Sequence, residues 1–542
     1  MHRNMNVKAH DFAMVPQPNV PRSQFKVKFR HLTTFDADYL VPHFVTEVLP
    51  GDTWHLRHTL FARVATPIYP IMDNLYMDTF YYFVPLRLLW TNFKKMMGEQ
   101  DNPSDSISYI TPQQVSPAGG YAVGSLQDYL GLPTTPMLGA NTKSHSAFFT
   151  RAYNFIWNQC FRDENLQTSV TFDTGDGPDA SASTNYALLK RGKRFDYFTS
   201  ALPWPQKGST GVSIPISGTA PITGIGKFNG NYPSASYSVT ETGGATVVYP
   251  NAGKIDGTIA DGVFAVKGTA ATSGSPQIYA NLAAATGVLI NQLRQSIMIQ
   301  EYLERNARGG TRYVEFLKMH FGVISPDFRQ QRPEYLGGGS KMISINPITQ
   351  VSATGLTGGS TPLGTQSAYG VGVDKNGFTY SSTEHGVIIG LIAVRADLTY
   401  QQGIHRMFTR STLYDYYDPA FAHLGNQAIR NDEIFTDGSA NDVLTFGYKE
   451  AWDEYRYIPS RVSSLFKSTS SGTIDGWHLA QKFASLPSLN SAFIQSSTPM
   501  SRVIAVGASA NGQQFIGDFE FSATVVRAMP MFSIPHISGI RI

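Results

Sequence analysis

A mainly β fold is predicted by three features of this 542-residue sequence. Apolar and polar residues alternate with a period of two in several segments, glycine (49) and proline (31) are plentiful, and aromatic residues reach 12%. Successive strand side chains point to opposite faces, so alternation marks a half-buried strand. Glycine- and proline-rich turns between many such segments point to an all-β architecture.

Residues 1–24, with Pro16, Pro18 and Pro21, read as a polar, extended arm. The first strand follows. Phe25, Val27 and Phe29 form an apolar face, and Lys26, Lys28 and Arg30 form a purely basic one. Leu56, Leu60, Ala62 and Val64 then share a face opposite Arg57, Thr59 and Arg63. LYMDTFYYFV, at 75–84, is a more fully apolar strand ended by Pro85.

Helices are predicted over 86–97, which carries Trp90 and Phe93, and over 147–161, from Phe148, Ala152, Phe155, Ile156 and Gln159. A third is predicted over 288–308. There Leu289, Leu293 and Ile297 form a stripe, Glu301 and Arg305 pair at i,i+4, and Gly309-Gly310 supplies the stop. The Gly/Ser/Thr-rich stretch 206–280 reads as a loop-rich β insertion without its own core, and 350–383 as a similar segment. Strands resume at 386–400 and at 515–530, where Phe519, Phe521, Ala523 and Val525 share a face. No solenoid period or heptad run is present.

Hydrophobic residues, at 42%, suffice for a sizeable core, whereas charged residues make up only 15%. That is well below the usual ~25% and suits a chain that hides much of its surface against neighbours. A net charge of +3 excludes a strongly basic nucleic-acid binder, so any such contact must be local. The one cysteine, Cys160, excludes an internal disulfide and a cysteine-based metal site and reads as a buried thiol. MHRNMNVKAHDFAMVPQP lacks the apolar region of a signal peptide. The apolar run from Val387 to Val394 falls far short of the ~20 residues of a membrane span. The expectation is folding in a reducing cytoplasm, with no membrane insertion.

Catalytic motifs are missing: there is no GxxxxGK[ST] phosphate loop, GxSxG elbow or HExxH. Gly224, Gly226 and Gly230 do not lie between a strand and a helix and read as a turn. His55 and His58, three apart in a strand, point to opposite faces and cannot share a metal. Asp173, Asp176 and Asp179 could offer oxygen ligands to Ca²⁺. They lack the alternate spacing of an EF-hand, and a solvated turn is the better reading. No catalytic residue, metal ligand or cofactor is nominated.

Two basic clusters remain. One is Arg22 with Lys26, Lys28 and Arg30; the other is Lys190, Arg191, Lys193 and Arg194, beside Phe195, Tyr197 and Phe198. Cations near aromatic rings suit single-stranded nucleic acid, through phosphate pairing and base stacking. The alternative, which composition alone favours, is inter-subunit ion pairing or a solvated edge.

Long segments carry a family signal: FKVKFRHLTTFDADYLVPHFVTEVLPGDTWHL (25–56), FDYFTSALPWPQKG (195–208), YLERNARGGTRYVEFLKMHFGV (302–323), QRPEYLGG (331–338) and KEAWDEYRYIPSRVSSLFK (449–467). In these the chain resembles the major capsid proteins of microviruses, specifically the gokushovirus branch. The resemblance implies a single viral jelly roll, an eight-stranded antiparallel β-sandwich with long inserted loops and a few helices, built from 1–205 and 281–542. It implies a structural, non-enzymatic subunit of a T=1 icosahedral shell around a circular single-stranded DNA genome, assembled in the bacterial host cytoplasm. Implied partners are other copies of the chain, the genome, a small basic DNA-binding protein, a DNA pilot protein, an internal scaffolding protein and a host surface receptor. Residues 206–280 are the candidate for a surface protrusion at the threefold axes. Two other classes stay open: an adhesive or carbohydrate-binding β-sandwich, which would carry an export signal, and an enzyme on a β scaffold, which would need a carboxylate pair or metal cluster.

Overall fold

Eight long strands carry the alternation seen in the sequence: β1 (Ser23–Phe35), β2 (Val41–Val48), β3 (Thr53–Val64), β4 (Leu75–Pro85), β5 (Glu334–Thr349), β6 (Gln366–Ser381), β7 (Gly386–Ala396) and β8 (Phe515–Arg527). The structure, a computed structural model, describes residues 21–180, 182–208, 290–352, 364–505 and 514–532, with short strands between 222 and 280. Residues 1–20 of the expected arm, most of the expected insertion, and Leu289 lie outside the described residues.

The eight strands hydrogen-bond in the order β1-β8-β3-β6-β5-β4-β7-β2, every neighbour antiparallel. β5 changes partner along its length. Glu334–Ile343 pairs with β4, and Ser344–Thr349 pairs with β6. The sheet therefore folds over at β5 into two halves, β1-β8-β3-β6 and β5-β4-β7-β2. Its outer strands meet again: Phe29 of β1 stacks over Phe44 of β2 at 6.0 Å, and His31 Nδ1 lies 3.0 Å from the His43 carbonyl oxygen. The result is a nearly closed, eight-stranded jelly roll, as the sequence and its resemblance predict.

Between the halves lies the main core. β3 supplies Leu56, Leu60 and Ala62, β8 supplies Phe519 and Phe521, and β7 supplies Ile388 and Ile392. A second core covers the other side of the β5-β4-β7-β2 half. There Val387, Ile389 and Leu391 pack with Phe148, Ala152 and Phe155 of helix α1 (Phe148–Ile156). β7 is buried on both faces, which explains why its sequence runs apolar without alternation.

Several elements differ from expectation. The glycine-rich stretch 350–383 holds strand β6 from Gln366 onward. Its glycines serve close approach, not turns: a Cβ on Gly372 would sit 2.6 Å from Met77 Cε, and one on Gly377 would sit 2.0 Å from the Leu56 carbonyl oxygen. The helix expected over 86–97 is two single turns, Leu86–Leu89 and Phe93–Met96. The backbone is extended at Trp90 (φ −150°), whose buried indole Nε1 donates to Asp176 at 2.7 Å. α1 runs on as a π-turn over Trp157–Phe161. Helix α2 (Ile290–Gly309) forms where the stripe predicted one, with Arg305 Nη2 donating to Glu301 at 2.7 Å; α3 (Tyr313–Phe321) was not foreseen.

The chain divides into two compact units, Met1–Pro205 with Gly309–Ile542, and Gln206–Arg308. The second unit contains a five-stranded antiparallel sheet of short strands between Ile225 and Lys267, and nearly all of α2.

The jelly-roll interior holds an unexpected polar chain. Asp374 Oδ2 accepts from Thr79 Oγ1 at 3.1 Å and from Asn376 Nδ2 at 2.7 Å, and stands 3.3 Å from His58 Nε2. His58 Nδ1 lies 2.7 Å from the Tyr81 hydroxyl, which lies 3.1 Å from His43 Nε2. With Asp374 ionised, a consistent network has His58 Nε2 donating to it, Tyr81 donating to His58 Nδ1, and His43 Nε2 donating to Tyr81. His43 Nδ1 is buried with no partner among the described residues. It is a bare acceptor in neutral imidazole and would become an orphaned buried donor on protonation. Burial, then the facing His58 and His31, hold the His43 pKa well below its usual 6.5. The unfolded chain therefore binds a proton below that value that the folded chain rejects. Stability should fall as pH drops through 6.5, by at most about 1.4 kcal/mol per pH unit. Urea unfolding at about pH 7.5 and pH 5 should show this loss, and His43→Gln should reduce it. An equal loss in the variant would place the acid sensitivity elsewhere.

Candidate nucleic-acid interface

The first basic cluster lies on the outer face of the β1-β8-β3-β6 half. Even-numbered residues of β1 and β8 and odd-numbered residues of β3 and β6 point outward, which places side chains from four strands in transverse rows. Lys26 lies in a row with Thr524, His55 and Thr379; Lys28 with Ser522, Arg57 and Gly377; Arg30 with Glu520, Thr59 and Lys375. Leu32, Asp518, Phe61 and Val373 form the next, and Thr34, Ile516, Arg63 and Val371 the last. Lys26, Lys28, Arg30, Arg57, Arg63 and Lys375 are all exposed.

This face is not purely basic. Arg30 Nε donates to Asp518 Oδ1 at 2.6 Å and its Nη2 binds the other carboxylate oxygen. That contact raises the Arg30 pKa and lowers that of Asp518. Glu520 sits directly across from Arg30. Among the described residues of these four strands the outer face still presents the six cations named above against the carboxylates Asp518 and Glu520. Arg22 is exposed beside the strand and donates to the Gly51 carbonyl. Sequence reasoning singled out Lys26, Lys28 and Arg30 but not Arg57, Arg63 or Lys375. Arg57 and Arg63 showed the same alternation; only the strand order reveals that they share a surface with β1.

The second cluster divides. Arg191 turns inward, pairing with the buried Asp78 carboxylate and lying 5.1 Å over the Phe80 ring, while Arg395 Nε donates to the same Asp78 at 2.7 Å. Burial alone would raise the Asp78 pKa, but hydrogen bonds from Ser340, Arg395 and Arg191 hold it low. Lys193 donates to Gln481 Oε1 at 2.9 Å and lies 4.2 Å from the Phe493 ring centroid. Lys190 sits 5.3 Å from the Tyr39 ring, and Arg194 is exposed. The run KRGKR is thus threaded into the protein's own packing and does not form one cationic patch.

Asp173, Asp176 and Asp179 do not converge. Asp173 accepts from the Gly175 amide, Asp176 from Trp90 and Asn92, and Asp179 is buried against Arg151, whose Nε donates to it at 2.9 Å. The solvated-turn reading fails for Asp179, which anchors α1 through that ion pair. No metal-holding group of His, Cys, Asp and Glu occurs among the described residues. His55 faces out and His58 faces in, as their spacing predicts. Cys160 is half-buried, and burial pushes its thiol pKa up. No described helix is long and apolar enough to cross a membrane.

Comparison with known proteins decides between the open classes. The family described as Capsid protein (F protein) matches residues 13–537. The chain belongs to this phage capsid family. The capsid protein VP1 of Bdellovibrio phage phiMH2K is 44% identical to it over 538 residues, covering 98% of each chain. Those of Chlamydia phage 1 (41%) and Spiroplasma virus 4 (33%) match over 99% of each chain. These relatives place the capsid protein in the gokushovirus branch, as a structural component of the virion and not an enzyme. The adhesive β-sandwich reading is thereby set aside.

Different roles for the second cluster's cations lead to different mutational outcomes. Arg191→Gln should destabilise the capsid protein by about 1–3 kcal/mol, since it removes a charged partner of buried Asp78. Arg194→Gln should stay within about 0.5 kcal/mol of the parent. Thermal unfolding of both variants checks this, and equal stabilities would contradict the packing role of Arg191.

Proposed function

We propose that this capsid protein assembles into a T=1 icosahedral shell around a circular single-stranded DNA genome, with the outer face of the β1-β8-β3-β6 half lining the interior. The observation that carries this reading is the contrast between the two halves. Helix α1 and its core cover the β5-β4-β7-β2 half. Among the described residues the outer face of the other half is exposed at Lys26, Lys28, Arg30, Arg57, Arg63 and Lys375. Phosphates inside a shell need inward cations, and such contacts are independent of base sequence. A net charge of +3 supplies little of the neutralisation. A small basic DNA-binding protein of the same phage supplies the rest, and a pilot protein and an internal scaffolding protein complete the set of partners. Assembly takes place in the bacterial cytoplasm.

The same reading assigns residues 206–280 to a surface protrusion at the threefold axes, used in attachment to a host receptor. Subunit contacts are supported by exposed apolar side chains outside the sheet. Leu293 and Ile297 of α2 are exposed, as are Phe408, Tyr414, Tyr417 and Phe421 in the long connection between β7 and β8. Apolar surface of this kind marks protein contacts. A shell closes from several such interfaces per subunit, each pair burying on the order of 1,600 Å² or less.

The decisive experiment replaces Lys26, Lys28 and Arg30 together with glutamine and measures DNA per intact particle. Lower genome content at normal particle yield is expected, with the deficit growing as salt is raised. Unchanged DNA content, or a density map placing these side chains on the outside of the particle, rejects the assignment of this face.

A further inference from the structure

A second group of cations in the molecule lines a cavity. Residues 192–194 run beside 494–496: Gly192 bridges Gln495, and the Lys193 amide donates to the Ile494 carbonyl at 2.8 Å. This pairing fixes the Lys193 backbone at the wall of a cavity of about 380 Å³. The Lys193 side chain lies along that wall, with Nζ donating to Gln481 Oε1 at 2.9 Å and lying 4.2 Å from the Phe493 and 5.8 Å from the Tyr400 ring centroids. No carboxylate among the described residues lies within ion-pair distance of it. A desolvated ammonium without a counter-charge is costly, and an amide plus two ring faces compensate it only in part. Burial holds its pKa down to about 8, although Asp196 and Asp38 act in the opposite sense.

The rest of the wall has matching chemistry. Lys482 adds a second, exposed cation, its Nζ 3.4 Å from the Ser468 carbonyl oxygen. Asn490 and Gln481 add amides, and half-buried Phe483, whose ring also packs against Tyr400 and Phe493, adds an aromatic ring. No Asp or Glu is among the described residues that line it. A volume near 380 Å³ sits at the lower end of the roughly 300–1,000 Å³ typical of ligand sites, enough for one nucleotide.

We propose that this cavity binds a single nucleotide of single-stranded DNA, its phosphate between Lys193 and Lys482 and its base against Phe483. The phosphate supplies the missing counter-charge through charge-assisted hydrogen bonds. Stacking on an aromatic ring tolerates any base. This inference rests on the reading that the chain encloses a single-stranded DNA genome, and differs from it in assigning one discrete site where the sheet face offers diffuse phosphate contact.

The test uses the purified full-length chain with thymidine 5′-monophosphate, with thymidine and inorganic phosphate as controls. The nucleotide should bind about tenfold or more tightly than thymidine, because the charged contact is lost without the phosphate. Lys193→Met and Lys482→Ala should each weaken nucleotide binding about tenfold. Phe483→Leu should weaken the nucleotide while leaving inorganic phosphate unchanged. Should Lys193→Met fail to fold, Lys482→Ala carries the test, because its side chain is exposed. Equal affinity for nucleotide and thymidine, or affinity indifferent to both lysine substitutions, overturns the site. So does a map of DNA-filled particles in which an acidic side chain of a neighbouring copy fills the cavity. Particles with normal DNA but no nucleotide affinity in the isolated chain would overturn this site and leave the shell reading intact. Failure to form shells at all would sink that reading instead.

Discussion

Strand β7 is the member on which the other elements depend. It is buried from Gly386 to Arg395, so it cannot shift by one residue without exchanging the contents of two cores. Ile388, Ile392 and Val394 belong to the interior of the jelly roll, while Val387, Ile389, Leu391 and Ala393 belong to the layer under α1. It hydrogen-bonds β4 on one side and β2 on the other. β2 in turn meets β1 to close the structure. At Gly390 a Cβ would lie 2.7 Å from the Tyr81 ring and 2.9 Å from Phe44 Cβ, so the absent side chain is part of the fit. At its end Arg395 shares Asp78 with Arg191. The same strand that sets the sheet order therefore also fixes where the KRGKR loop runs.

That arrangement makes the two halves unequal. One is covered by α1 over an apolar patch that includes Tyr82, Val84, Val387, Ile389 and Leu391. The other keeps an exposed outward face on which six cations stand among serine and threonine, the carboxylates Asp518 and Glu520, and apolar residues such as Leu32 and Phe61. A buried polar chain is placed between them: Asp374 on β6, His58 on β3, Tyr81 on β4 and His43 on β2. These four strands come from both halves, so the chain of hydrogen bonds spans the sandwich. The order Asp–His–Tyr superficially resembles a catalytic relay. Its members are buried inside a packed core, however, where no substrate can reach them. Its effect is on register and acid sensitivity.

Strands with one covered face were legible in the sequence. Phe519, Phe521, Ala523 and Val525 announced β8, and Leu56, Leu60, Ala62 and Val64 announced β3, because a half-buried strand must alternate. β6 was not legible. Gly370, Gly372 and Gly377 imitate turn chemistry, and only the positions of Val64, Met77 and Leu56 show why no side chain fits there. The turns around Trp90 were misread as one helix because the pull of Asp176 on the indole is a long-range contact. For the candidate site, Lys26, Lys28 and Arg30 could be read from one strand. Arg57, Arg63 and Lys375 required the strand order, and so did the carboxylates Asp518 and Glu520 that temper them. In KRGKR, composition could not tell Arg191, buried on Asp78, from Arg194 in solvent. Pairing with a residue more than a hundred positions away leaves no local signature.

Among the described residues β1 forms a hydrogen-bonded ladder with β8 alone; on its other side Phe29 and His31 reach β2 through their side chains. A strand from another copy could add to that edge only by displacing the β2 contacts of Phe29 and His31. A virus subunit is made in many copies in a small volume, and uncontrolled strand addition would yield fibres instead of particles. Lys26, Lys28 and Arg30 on that strand oppose such stacking, since like charges would be brought into register with every added copy. The alternation that makes one face cationic thus also protects solubility in the interval between synthesis and assembly.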